Sequence, residues 1–174
     1  MKRLLWIILC LLLICSCTSQ KKKKRHVAYY DYDTEYVLDG ETIDVPFKVE
    51  GGVKYVSAKI NGVSIDMIFD TGCSETLISL LEAQQLVKRG LLSEDDIVGI
   101  GQSTIADGSV VEDAILNLKT LELSDGNTTI VCRNVITHVS SNIDAPVLLG
   151  NGVLDRVASF TIDNENSLIK FKLK

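Results

Sequence analysis

The stretch "DMIFDTGCSETLIS", Asp66 to Ser79, carries a single Asp-Thr-Gly at Asp70, Thr71 and Gly72. An alternating apolar run leads into it, so Asp70 is expected at the exposed end of a rigid strand. Thr71 can hydrogen-bond locally to lock the turn, and Gly72 leaves room for backbone or ligand to approach closely. A carboxylate presented in this way suits acid–base chemistry on a water molecule. A second carboxylate beside it would let one member take a proton while the other, protonated, donates a hydrogen bond. The 174 residues contain no second Asp-Thr-Gly and no Asp-Ser-Gly. Such a tripeptide arises by chance in roughly one chain of this length in twenty, so its meaning rests on the elements around it.

Those elements read as strands. "DVPFKVE" alternates, with Val45, Phe47 and Val49 on one face, and Gly51-Gly52 turns the chain into "VKYVSAKI". Asn61-Gly62, the strongest two-residue hairpin signal, leads to "VSIDMIF" and so to Asp70. Further strands are predicted at "SVVEDAILNL", "KTLELSD", "TTIVCRNVITHV", "APVLLG", "ASFTID" and "SLIKFKLK". Turn signals fall at Asp107-Gly108, Asp125-Gly126-Asn127 and Asp163-Asn164, and helices are expected at Ser79–Arg89, stopped by Gly90, and at Val153–Val157. Many short strands with little helix indicate a small β-barrel or sandwich over residues 44–174. Within it, "STIADGSVV" reads as a hairpin with Ala106, Asp107, Gly108 and Ser109 at its tip, a shape that can close over a ligand.

The N-terminus is organised differently. Met1-Lys2-Arg3, an apolar run from Leu4 to Ile14, and Cys15-Ser16-Cys17 describe an export signal too short for a comfortable membrane span. Its ending, Ile14-Cys15-Ser16-Cys17, resembles the bacterial lipobox, which would make Cys17 the lipidated first residue of the mature chain. Residues 18–43 read as a tether that becomes ordered near its end, basic at Lys21–Arg25 and then rich in tyrosine and acid. All 23 acids lie after Arg25 against 11 bases, leaving about −12 there, a sign that repels nucleic-acid backbones. Outside the leader only Cys73 and Cys132 remain, read as small buried hydrophobes rather than a disulfide scaffold. His26 and His138 belong to no cluster with metal-ligand spacing, so no metal is expected.

Taken together, Asp70-Thr71-Gly72, the hairpin glycine Gly108 and the aliphatic-aliphatic-glycine run Leu148, Leu149, Gly150 resemble the retropepsin-like aspartic proteases, in particular their bacterial single-domain members. The resemblance covers about residues 45–174. It implies a mostly β, closed barrel-like fold with one or two short helices, and peptide hydrolysis by water without cofactor. It also implies a homodimer, because single-domain members supply one aspartate each. Asp70 would be the catalytic carboxylate. Thr71 would form inter-subunit hydrogen bonds beneath the site, Gly72 would line the substrate, and residues 106–109 would be the flap. Cys73 departs from the Ala or Ser usual after the glycine. With the lipobox, the expectation is a peptidase tethered to a membrane of the bacterial cell envelope, its domain facing the periplasm or the exterior and acting on peptide or protein substrates. The alternative is a lipoprotein that uses the same fold to bind a peptide or envelope component without cutting it.

Overall fold

Period-two burial organises the chain: Ile43, Val45 and Phe47 are buried on one face of a strand whose intervening residues are exposed, and each such full burial contributes about 1.5–3 kcal/mol. In the computed structural model, which describes residues 34–37, 42–105 and 107–174, this pattern recurs along most of eleven strands. They are β1 Thr34–Val37, β2 Thr42–Glu50, β3 Val53–Ile60, β4 Val63–Phe69, β5 Thr76–Ser79, β6 Ile97–Thr104, β7 Val110–Ser124, β8 Thr129–Ser140, β9 Leu148–Leu149, β10 Ser159–Asp163 and β11 Leu168–Lys172. The leader with Cys17, the Lys21–Arg25 run and Ala106 lie outside the described residues. Within the segment read as a tether, Thr34–Val37 forms a strand that pairs antiparallel with β8.

The strands run in the order β10-β11-β2-β3-β4-β9-β5-β8-β7-β6, and an additional β3–β7 pairing closes six of them into a ring. The mostly β, closed architecture expected from the sequence is therefore present. Its core includes Val56, Met67, Ile78, Leu118, Leu121, Leu149 and Ile169, all with no measurable exposure. The ring closes because β7 and β8 both change phase midway. Leu116 and Leu118 are buried on β7, then Leu121 and Leu123; Ile130 and Cys132 are buried on β8, then Val135, Thr137 and Val139. At the phase change Asn134 adopts φ +50° and accepts a hydrogen bond from Asn117 Nδ2 at 3.4 Å. The bend lets one half of β7 pair with β6 and the other half with β3.

Two sequence expectations are corrected here. "SVVEDAILNL" and "KTLELSD" are one continuous strand, because backbone pairing with β8 continues through the phase change. The second helix, α2, spans Asn151–Leu154 rather than Val153–Val157. The first, α1, is Leu80–Lys88, with Ser79 as its N-cap: the Ser79 hydroxyl accepts from Leu81 N–H at 3.1 Å and Glu82 N–H at 3.4 Å. Its chain then reverses at Gly90, φ +70°.

Candidate active site

Asp70 follows the last residue of β4, and its position is set by an inserted strand. The two residues of β9 lie between β4, parallel through Ile68–Leu148 and Phe69–Leu149, and β5, antiparallel through Leu77–Leu148. The turn Asp70–Glu75 therefore leaves one neighbour of β9 and enters the other, crossing over the strand between them. Ile68 N–H donates to Val147 O at 2.8 Å and Asp70 N–H to Leu149 O at 3.1 Å. Directly before Asp70, the Phe69 ring meets Phe160 edge-on at 5.1 Å and lies 6.4 Å from Phe171, which ties the strand end to β10 and β11.

The turn is held by hydrogen bonds. Gly72 N–H donates to Asp70 Oδ1 at 2.8 Å, which fixes the carboxylate orientation. A Cβ at Gly72 would lie 3.1 Å from that same oxygen. From the other side, Asn151 N–H donates to Cys73 O at 2.9 Å, Gly152 N–H to Ser74 O at 2.9 Å, and Asn151 Nδ2 to Thr71 O at 3.0 Å. Gly150 makes this clasp possible, since a Cβ there would overlap Glu75 O and lie 2.8 Å from Cys73 O. Committing the first N–H groups of α2 to the turn also explains why that helix begins at Asn151. Arg156, buried, anchors the far end of the clasp: Nε donates to Gly152 O at 3.0 Å, Nη1 to Arg133 O at 2.6 Å and Nη2 to Asn134 O at 3.3 Å.

Of the residues singled out from the sequence, Asp70, Thr71, Gly72, Cys73, Leu148, Leu149 and Gly150 come together in this one assembly. Thr71 and Gly72 are exposed. Cys73 is a free thiol, as is Cys132. Burial pushes the Cys73 thiol up, and the charges of Asp70 and Glu75 act in the same direction against an opposing hydrogen bond to Glu75 O at 2.9 Å. Cys73 is therefore a protonated donor, not a thiolate nucleophile. Cys132, deeper in the barrel, is pushed up by burial to about 11. Asn151, Gly152, Glu75 and Arg156 were missed from the sequence. The "NG" at 151–152 was the available signal, but nothing local shows that its donors reach back 80 residues, to Thr71.

The predicted hairpin tip is a separate structure at the end of β6 and β7. Ile105 N–H donates to Ser109 O at 2.9 Å and Gly108 N–H to Ile105 O at 2.8 Å. Asp107 Oδ1 accepts from Ser109 N–H at 2.8 Å and from its hydroxyl at 2.6 Å, bonds that hold the exposed Asp107 carboxyl below its ordinary range. Gly108 has φ +84°, a conformation side chains rarely adopt.

An aspartate on a tight Asp-Thr-Gly turn, cradled by a hydrophobic-hydrophobic-glycine strand within a closed barrel bearing a hairpin, defines the aspartic proteases of retropepsin-like fold. Residues 56–156, more than half of the chain, match the family described as "gag-polyprotein putative aspartyl protease", and the chain belongs to that family. Its class is aspartic endopeptidase. Among solved structures it resembles a retropepsin-like aspartic protease from Rickettsia conorii at 22% sequence identity, with a TM-score of 0.52, covering 83% of this chain and 96% of that one. That likeness bears on the fold. No curated protein matches the chain significantly.

Gly108→Val tests the hairpin as a flap. Forcing a branched side chain to φ +84° costs about 1–3 kcal/mol locally, and a Cβ there meets no neighbouring atom within 4 Å. Peptide turnover is expected to fall by roughly tenfold or more, beyond the fall in thermal midpoint of several degrees that the local cost predicts, when assayed well below that midpoint. Equal turnover in the two proteins would reduce the segment to an ordinary hairpin.

Proposed function

We infer that the protein works as a membrane-tethered homodimeric aspartic endopeptidase, with Asp70 of two chains forming one catalytic dyad. The observation that carries this reading is the single Asp-Thr-Gly turn, clasped from behind by residues 149–152 while Thr71 and Gly72 remain exposed. A twofold axis through the exposed turn would bring two Asp70 side chains together. Two carboxylates about 3 Å apart cannot both ionise easily, so the pair shares one proton. The ionised member takes a proton from the attacking water. The protonated member donates a hydrogen bond to the scissile carbonyl and stabilises the tetrahedral intermediate. The two titrations belong to the pair.

Because neither chain is complete alone, specific activity on a peptide is expected to fall as the enzyme is diluted below its dimer dissociation constant. Sedimentation velocity over the same concentrations should show the dimer lost in parallel. Activity that stays constant while the protein becomes monomeric would refute the shared dyad.

Tethering rests on Ile14-Cys15-Ser16-Cys17 after the apolar run. A lipid chain contributes about 0.8 kcal/mol per buried CH2, and two chains give stable anchoring. Confinement to the membrane of a bacterial envelope would raise the effective concentration of chains and favour pairing. Mass spectrometry of the mature protein is expected to find acylated Cys17 at its N-terminus, and Cys17→Ser to release the domain from membranes. An unmodified N-terminus at another residue would refute the anchor.

A further inference from the structure

Strand register extends one face of the sheet from Asp70 to the base of the hairpin. Residues paired across a sheet point to the same side, as do alternate residues along a strand. Ile68, two before Asp70, pairs with Leu148; Leu148 pairs with Leu77, Leu77 with His138, and His138 with Ile115. These residues are only half-buried, whereas Leu149, Ile78, Val139 and Leu116 on the opposite face lie in the core. Two residues before Ile115 on β7 is Asp113, and Ser103 and Val111 are paired on the same face of the hairpin. The face that carries Asp70 is thus apolar near the turn and polar near the hairpin.

The polar part is an organised cluster. Asp113 Oδ2 accepts from the Ser103 hydroxyl at 2.5 Å and from His138 Nδ1 at 3.0 Å, with Ser103 Oγ 3.2 Å from the same ring nitrogen. A carboxylate only accepts, so Nδ1 carries the ring proton and Nε2 lies on the ring edge away from Asp113. Asp113 is 3% exposed, yet its Oδ1 is buried without a hydrogen-bond partner. A cluster serving only to join three strands already paired along their backbones would not leave half of a buried carboxylate unsatisfied. Glu75, in the bend directly before β5, is half-buried, and its carboxylate lies against Gly152 of α2, where a Cβ would overlap Oε2. Its carboxyl is pushed up by desolvation and pulled down less strongly by its neighbours His138 and Arg156. On the β6 side of the cluster stands Gly101. A Cβ there would lie 2.6 Å from Ile115 Cδ1 and 3.4 Å from His138 Cε1, so the imidazole packs against bare backbone.

We propose that His138, oriented by Asp113 and Ser103, is a specificity-determining residue that together with Glu75 forms an anionic subsite for a lysine or arginine side chain of the peptide substrate. The proposal rests on the peptidase reading above. Asp113 and Glu75 place two carboxyl groups about the ring in a partly desolvated setting, where a charge-assisted hydrogen bond is stronger than in water. Asp113 and Ser103 act as positioning residues. The net charge of about −7 over residues 44–174, 18 acids against 11 bases, steers the same class of peptide.

The test uses peptides of apolar sequence in which lysine or norleucine is placed in turn at each position flanking the cleaved bond. Wild-type protein is expected to prefer lysine at one position by about tenfold in kcat/KM, and His138→Leu, Asp113→Asn and Glu75→Gln to bring that ratio towards one. A purely structural role would lower both peptides together and leave the ratio unchanged, which would overturn the proposal, as would a wild-type enzyme with no lysine preference at any position. The same pairs are titrated against the Asp70→Asn protein to read the ratio as Kd. Lysine-selective binding without any cleavage by wild type would keep the subsite and refute the peptidase reading. Binding of neither peptide would overturn the subsite.

Discussion

Asp70→Asn is expected to abolish peptide cleavage, lowering turnover by roughly 10^4-fold or more, while leaving the fold intact. The amide keeps the acceptor that takes the Gly72 N–H at 2.8 Å, so thermal stability should stay within about 1 kcal/mol of wild type. What is lost is the group that titrates. Mixing separates a shared site from an independent one. When equal amounts of wild-type and Asp70→Asn chains are refolded together, random pairing leaves about one quarter of the dimers with two aspartates. Activity is then expected at about one quarter of that of the same total amount of wild-type protein. A value near one half would show that each chain works alone and would remove the dyad from the mechanism.

Gly150→Ala is expected to produce the largest loss of stability of any single methyl group added in the active-site region. The new Cβ would overlap Glu75 O and lie 2.8 Å from Cys73 O. Both are backbone atoms of the turn that follows Asp70, and they cannot yield without breaking the bonds from Asn151 N–H to Cys73 O and from Gly152 N–H to Ser74 O. The cost is about 3 kcal/mol or more, which lowers the thermal midpoint by roughly 10 °C for a domain of this size. Gly99→Ala is the control, because a Cβ there meets nothing within 4 Å and the backbone is not in the left-handed region. Thermal unfolding of the two variants side by side decides the matter. A Gly150→Ala midpoint equal to that of Gly99→Ala would mean that the clasp is looser than the distances require.

The sequence by itself determined the features that depend on local chemistry. Asn61-Gly62 turns one hairpin because both residues adopt positive φ, at 48° and 85°. Ser79 and Gly90 bound a helix because a hydroxyl can accept the first N–H groups and a glycine can reverse the chain. The Asp-Thr-Gly turn and the Leu-Leu-Gly run were legible as short motifs, and through them the family. Only the tertiary structure decided how these pieces meet. The apolar alternation on β7 breaks phase between Leu118 and Leu121, which read as two strands, whereas pairing with β8 carries one strand through the bend. The second helix starts earlier than its apolar residues suggested because Asn151 and Gly152 donate to a turn far back along the chain, at Cys73 and Ser74. Likewise His138, which carries no local signal in the sequence, meets Asp113 and Ser103 only because β8, β7 and β6 lie side by side in register. Local signals are set by one residue's own backbone preference or its nearest neighbours. Register, clasp and cluster depend on long-range pairing, which no short window of sequence contains.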